Sequence, residues 1–188
     1  GFNWCNFSCF DEDGWKDVKP TEGDINIALF HGAVWGSKTD VDWDISGDVK
    51  VNFFDGYDFA LLGDIHREQT LAERWSYREV DESNLEKYKD KGWEVASDTI
   101  CDKVKIRKKK GWIKYSGSAI QQNYGETPGK GFLFWDIRSR DDFDVTFHEI
   151  EHSTPFITID WYGTVENTIE NSKDAPNGAR FRVKSDVY

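Results

Sequence analysis

The sequence of 188 residues contains no methionine, only four prolines and only three cysteines. The lack of Met in a chain that begins with Gly1 leads us to expect a fragment or a processed piece of a longer protein. No apolar run approaches the roughly eighteen residues that a membrane-spanning helix needs, so we expect no membrane association. Acidic residues outnumber basic ones, and the formal net charge is −11. Net charge therefore does not attract nucleic acid, and any phosphate contact needs a local basic patch or a bound cation.

The cysteines are Cys5, Cys9 and Cys101. An odd count, with no secretory signal pattern in the opening residues, is typical of a reducing compartment and predicts the cytoplasm, or the host cytoplasm if a phage encodes the chain. Cys5 and Cys9 do not have the usual spacing of zinc ligands. We therefore expect buried or unreactive thiols rather than a structural zinc site.

Apolar runs indicate the strands of the core. "INIALFHG" (25–32) and "YDFALLGDIH" (57–66) are nearly continuous runs, typical of strands in a sheet that is covered on both faces. Residues 1–23 look irregular, and residues 71–111 look like a charged, partly helical insertion. Further strands are expected at 111–119, 131–138, 143–151, 156–162 and, after a helix capped by Thr164, near the C-terminus.

These elements predict a mixed α/β fold in which two sheets form a sandwich flanked by helices. We expect one main domain over residues 1–150, which contains the charged insertion at 71–111. A small capping subdomain is expected to begin at 151 and to continue to 188.

Polar side chains follow both apolar runs at the point where each strand ends. His31 ends the first run, and Asp64 and His66 follow the second one directly after a glycine. Reactive groups in α/β folds collect at strand ends, and imidazole with carboxylate suits a divalent transition metal such as Mn²⁺. The alternative is that both histidines are ordinary polar residues at strand ends. Composition and spacing alone leave the two interpretations about equally supported.

Four segments occur in a recognisable order: "INIALFHGAV", "YDFALLGDIHREQ", "KYSGSAIQQNYGE" and "KGFLFWDI". Together they resemble the calcineurin-like metallophosphoesterases. The resemblance is strongest to the nuclease subunit of the SbcC–SbcD complex and its phage and viral relatives, the recombination endonucleases. It covers residues 22–70 and 111–165. It implies the second half of a metallophosphoesterase sandwich, because the family's early motifs, Asp-x-His, Gly-Asp-x-x-Asp and Gly-Asn-His-Asp, are absent from this sequence.

The resemblance implies two divalent cations, Mn²⁺ or alternatively Mg²⁺, and hydrolysis of phosphodiesters without a covalent nucleophile. His31 matches a metal ligand, and His66 matches the second histidine of a Gly-His-x-His motif. Asp64 replaces the first histidine of that motif, and a carboxylate there favours a hard cation. DNA, an SbcC-like ATPase and a second copy of the whole subunit are the partners implied. With at most three ligands, the isolated chain is expected to lack appreciable nuclease activity.

Other polar residues are candidates for substrate contacts. Gly117 between two serines would permit close approach of a phosphate, or would form a plain polar turn. Arg67 could reach a phosphate or could be a solvated loop residue. The basic stretch at 103–114 could grip a DNA backbone or could form a solvated hairpin tip. The full set of predicted substrate-binding residues is Arg67, Ser116, Gly117, Ser118, Gln121, Lys108, Lys109 and Lys110.

Two other functions fit the same sequence. A degenerate phosphoesterase domain that no longer cleaves could serve as a binding or structural module. A phosphoesterase of small phosphomonoesters or cyclic nucleotides is the third possibility, which the likeness to DNA-processing relatives disfavours. The pair His148 and His152 is not expected to bind metal, because its surroundings alternate like a strand.

Overall fold

A computed structural model describes residues 1–100, 102–152 and 154–185. Strands dominate these residues, with two short helices and three short 3₁₀ segments. The strands are β1 (Phe2–Phe7), β2 (Ile25–His31), β3 (Phe59–Gly63), β4 (Gln69–Asp81), β5 (Glu94–Ile100), β6 (Lys103–Tyr115), β7 (Gly131–Ile137), β8 (Phe143–Glu149), β9 (Phe156–Asp160) and β10 (Arg180–Lys184). The helices are α1 (Leu85–Lys89) and α2 (Val165–Glu170).

The main sheet has the strand order β1-β2-β3-β6-β4, and β5 pairs with the outer part of β6. Strands β1, β2, β3 and β6 run parallel, whereas β4 and β5 are antiparallel to β6. Strands β2 and β3 lie inside the sheet, and the side chains of both alternate between two buried faces. The two apolar runs that predicted these strands are thus confirmed, together with the mixed α/β class.

Apolar layers cover both faces of this sheet. On one face, Phe30 of β2 packs with aromatic residues from the connecting segments, including Trp15 and Phe53. On the other face, the β7–β8 hairpin brings Phe143 to 4.9 Å from Phe59 between ring centroids. The sheet and the two apolar layers on its faces give the molecule a sandwich-like architecture.

The N-terminal segment corrects the expectation of irregular structure. Phe2–Phe7 forms β1, which pairs in parallel with β2 along its whole length. Cys5 and Phe7 are buried by this pairing, whereas Trp4 faces solvent at the edge. The exposed aromatic face obscured the alternation on which a strand prediction depends.

The charged segment at 71–111 is mainly a three-stranded antiparallel sheet made of β4, β5 and β6. The expected helical part is α1, but the basic stretch is not a hairpin tip, because β6 lies between β4 and β5. Val104 and Ile106 alternate with its cationic residues and pack on Val80 and Trp93. Long cationic side chains masked this alternation in the sequence.

The C-terminal residues form a small β9-α2-β10 unit in which the two strands are parallel. The side chain of Thr164 accepts a hydrogen bond from the Asn167 N–H, so the predicted helix cap is confirmed. Gln121 joins this unit to the main domain, since its side chain bonds both the N–H and the carbonyl of Phe156. Its expected role as a capping subdomain stays a prediction.

None of the helices in the described part of the chain is long and apolar enough to cross a membrane.

Cys5 is buried and Cys9 is exposed, and both are free thiols. Burial raises the pKa of the Cys5 thiol. Cys101 lies outside the described residues.

Candidate functional site

Strands β2 and β3 bring His31 and Asp64 to the same edge of the sheet. His31 pairs with Gly63 across the parallel ladder, and Asp64 follows Gly63. A Cβ atom at Gly63 would lie 2.9 Å from His31 Cδ2, so only glycine leaves room for the imidazole ring. Asp64 itself has a φ of 88°, in the region that residues other than glycine seldom adopt. The glycine and the unusual aspartate turn the chain sharply where the sequence predicted a site.

His66 is held by a carboxylate from a distant part of the chain. Its Nδ1 lies 2.9 Å from Oε1 of Glu126. Because an ionised carboxylate only accepts hydrogen bonds, the Nδ1 atom carries a proton, and in the neutral form of the imidazole the free lone pair is then on Nε2. Histidines that bind metals are commonly oriented in this manner by a carboxylate.

Glu126 is the centre of a buried polar cluster. It accepts hydrogen bonds from Asn123 Nδ2 and from the Gln122 N–H, and it lies 3.2 Å from Lys130 Nζ. Burial acts to raise the pKa of Glu126, but the hydrogen bonds from His66 and Gln122 and the charge of Lys130 outweigh it. The pKa of Glu126 therefore lies below its ordinary value, and the carboxylate is ionised at neutral pH.

Lys130 is a buried cation beneath this cluster, with only 2% of its surface exposed. Its ammonium group donates to Asp40 Oδ2 at 2.7 Å and to the His66 carbonyl at 2.8 Å. With Glu126, these acceptors match the three protons of an ammonium group. A buried charge persists only when it is paired in this way. Asp40, Glu126 and Lys130 were all missed by the sequence analysis, because their partners lie far away in the chain.

A pocket of about 340 Å³ opens beside this cluster. The residues 38–44, called the Trp43 turn below, contribute Val41 and Trp43, and Ile45 follows them on the same apolar wall. The polar wall contains Asp64, His66, Asn123 and Glu126. In the described part of the chain, His31 does not line this pocket; its ring lies against Gly63 instead.

The donor chemistry at this edge fits a divalent metal, but the ligand number is incomplete. Two imidazoles and a carboxylate are suitable ligands for Mn²⁺. Within residues 1–100, 102–152 and 154–185, however, no three His, Cys, Asp or Glu side chains are grouped closely enough to hold a metal ion. His31, Asp64 and His66 thus share one end of the sheet without forming a complete ligand set, and metal binding by them stays a prediction.

Arg67 fixes the Trp43 turn to the end of β3. Its Nη1 donates to the Thr39 carbonyl at 3.0 Å and to the Asp42 carboxylate at 2.5 Å. This hydrogen bond and the charge of Arg67 hold the pKa of Asp42 below its usual range. The guanidinium group is engaged within the chain, so its contact with a phosphate remains a prediction.

The segment around Gly117 packs against the backbone that follows β3. Gly117 has a φ of 74°, and a Cβ atom there would lie 2.9 Å from the Glu68 nitrogen. The Ser118 N–H donates to the His66 carbonyl at 3.2 Å. This packing supports the backbone of His66, and the close approach of a phosphate at Gly117 stays a prediction.

Two other predicted substrate residues have structural partners here. Gln121 is only 2% exposed, and its amide bonds the Glu126 and Phe156 backbone. The Ser116 N–H donates to the Leu62 carbonyl, and its hydroxyl donates to the Gly117 carbonyl. Substrate contact by Ser116, Gly117, Ser118 and Gln121 stays a prediction.

The three consecutive lysines of β6 do not form one surface. Lys110 is largely buried, where it contacts Asp144, donates to the Phe143 carbonyl and lies 4.2 Å from the Trp93 ring centroid. Burial lowers the pKa of Lys110 in spite of the Asp144 charge. Lys108 donates to the Lys91 carbonyl, and Lys109 alone is exposed, above Trp75.

No protein-family model matches this chain. The chain is similar to a protein of Acanthamoeba polyphaga mimivirus, "Uncharacterized protein R555", with 30% identity over 128 residues. The matched region is 67% of this chain and 7% of the viral protein. The chain therefore spans only a small part of that relative's length, and the match assigns no activity.

Proposed function

We propose that this chain is the C-terminal part of a metal-dependent phosphodiesterase of the calcineurin-like class, and that DNA is its substrate. The proposal includes two divalent cations, Mn²⁺ in preference to Mg²⁺, an SbcC-like ATPase partner, a dimer of the whole subunit and a cytoplasmic location. Recombination, repair or processing of viral DNA is the process that such an enzyme would serve. The viral source of the similar protein is compatible with this assignment and adds nothing about activity.

The observation that carries the proposal is the pairing of His66 with Glu126 at the end of β3. The carboxylate fixes the imidazole with the proton on Nδ1, which leaves Nε2 available for a metal. Lys130 in turn supports both the carboxylate and the His66 carbonyl. A solvated histidine at a strand end would not need such a buried support.

Each predicted ligand has a separate part in this proposal. His66 would bind through Nε2, and Asp64 and His31 would bind from the same end of the sheet. Bound divalent cations would supply neutralisation of the phosphate charge. The chain itself orients the imidazole and keeps the Glu126 carboxylate ionised beside it.

A non-catalytic binding or structural module is the second candidate. It is favoured by one observation, namely that no three-residue metal-ligand group exists among the described residues. The gene sequence upstream of Gly1 separates the two candidates at little cost. Asp-x-His, Gly-Asp-x-x-Asp and Gly-Asn-His-Asp motifs there, or in an adjacent gene, would favour the nuclease.

Calorimetric titration with Mn²⁺ tests the proposal on the chain itself. We expect the chain to bind Mn²⁺, and His66→Ala and Asp64→Asn to weaken that binding by at least about tenfold. His148→Ala is the matched control, because His148 stacks on Phe132 at 5.3 Å in the β7–β8 hairpin. Equal binding by all three variants would refute the proposed site. Cleavage of linear DNA by this chain alone, abolished in His66→Ala, would contradict our expectation that the isolated chain lacks appreciable nuclease activity.

A further inference from the structure

Trp43 is a large aromatic side chain that is left open beside the polar cluster. Its side chain is part of the pocket that also contains His66, yet 74% of its surface is exposed. Val41 is 51% exposed on the same turn. Burying such a ring would be favourable, so its exposure next to polar groups is typical of a binding surface.

The chain holds the Trp43 turn in place before any ligand arrives. The Thr39 N–H donates to the Trp43 carbonyl at 3.0 Å, which closes the turn. Gln69 accepts from the Lys38 N–H and donates to the Lys38 carbonyl, both at 2.9 Å. Arg67 bonds the turn from the other side. A ring on such a support binds without a large ordering cost.

The charges around the pocket select against a free anion. Lys130 is paired with both Asp40 and Glu126, which leaves Asp64 as an acidic group without an ion pair in the described residues. In the same residues, no lysine or arginine lines the pocket. The pocket therefore combines an apolar wall, to which Trp43 belongs, with a polar wall that contains His66. A planar, uncharged ring joined to a phosphate that lies outside the pocket fits this arrangement.

We propose that Trp43 stacks on an unpaired nucleobase of a single-stranded nucleic acid whose neighbouring phosphate lies outside the pocket. The pocket of about 340 Å³ is at the small end of ligand sites and suits one nucleotide unit. A paired base within a duplex is already stacked and cannot enter. This inference rests on the proposed function, which supplies the nucleic-acid strand as the ligand.

Fluorescence anisotropy with a labelled single-stranded oligothymidylate tests the inference, in EDTA and again with Mn²⁺. Trp43→Ala should weaken binding by about 5- to 150-fold, the range that 1–3 kcal/mol per stacked base represents. Trp43→Phe should retain most of the affinity. Trp35→Ala is the matched control. Trp35 lies between β2 and the Trp43 turn and is also exposed, but it lies under Lys50 and does not line the pocket. Both positions are exposed, so folding should be unaffected.

An abasic oligonucleotide and a duplex separate stacking from charge. The inference predicts that Trp43→Ala and the unchanged chain bind both of these probes equally. It is overturned by equal binding of the two proteins to oligothymidylate, by the same loss with the abasic strand, or by no single-strand binding in either buffer. Stacking without Mn²⁺ binding would refute the nuclease proposal alone, and Mn²⁺ binding without stacking would refute this inference alone.

Discussion

Tyr115→Phe removes a hydroxyl group that joins the end of β6 to the loop after His31. The Tyr115 side chain is fully buried. Its hydroxyl donates to the Gly32 carbonyl at 2.7 Å and accepts from the Val34 N–H at 2.9 Å. Phenylalanine fills nearly the same volume but leaves this N–H and this carbonyl without that partner.

The expected cost follows from the buried groups that lose their partner. One buried, unsatisfied polar group costs about 1–3 kcal/mol, so we expect the free energy of unfolding to fall by about 2–3 kcal/mol. Urea unfolding followed by tryptophan fluorescence measures this, with an unchanged m-value. For a chain of this size, Tm should fall by about 2–4 °C for each kcal/mol.

Tyr124→Phe is the matched control for this substitution. The Tyr124 hydroxyl donates to the Phe181 carbonyl at 3.2 Å but is exposed to solvent, which can replace it. We expect a change of less than about 0.5 kcal/mol there. The argument would be refuted if Tyr115→Phe were as harmless as Tyr124→Phe, since the hydroxyl would then not support the loop after His31.

Three further predictions concern single groups. Burial raises the pKa of Tyr115 from 10.0 to about 12, so its contribution to stability is complete below pH 10 and is lost as pH rises toward 12. Between pH 10 and pH 12, the unfolding free energy of the unchanged chain should fall by about 2–3 kcal/mol more than that of Tyr115→Phe. Urea titrations at each pH measure this difference. If Lys109 touches a phosphate, Lys109→Gln should reduce the slope of log binding constant against log salt concentration for duplex DNA by up to about 0.9. Lys110→Gln should instead lower the free energy of unfolding by about 1–3 kcal/mol. Glu126→Gln should weaken Mn²⁺ binding about 10- to 100-fold, and nitrogen NMR should show a mixture of His66 tautomers.

The inner strands of the sheet could be predicted from the sequence because burial on both faces leaves a nearly continuous apolar run. Strands β2 and β3 have this signature, and so their ends could be located. The edge strand β1 lacks it, because one of its faces carries the exposed side chains of Phe2 and Trp4. In β6, lysines occupy even partly buried positions, such as Lys110, where a cation is paired and covered by aromatic rings.

The support of the candidate site could not be predicted, because its members are far apart in the chain. Lys130 meets Asp40 across 90 positions, and His66 meets Glu126 across 60. Asp40, Glu126 and Lys130 each look like a solvated charge within their own segment. Only the folded chain shows that the buried ammonium group and the two carboxylates compensate one another. Glu126 and Lys130 do lie in the "KYSGSAIQQNYGE" and "KGFLFWDI" segments that carried the family resemblance, and this was the available signal.

The most direct test of a metal site at the ends of β2 and β3 is the paramagnetic broadening of the histidine ring NMR signals by Mn²⁺. The chain has four histidines, which gives two candidate ligands and two internal controls. The account predicts that substoichiometric Mn²⁺ broadens the ring signals of His31 and His66 and spares those of His148 and His152. Uniform broadening of all four, or none at His66, would contradict the claim that the ends of β2 and β3 form a metal site.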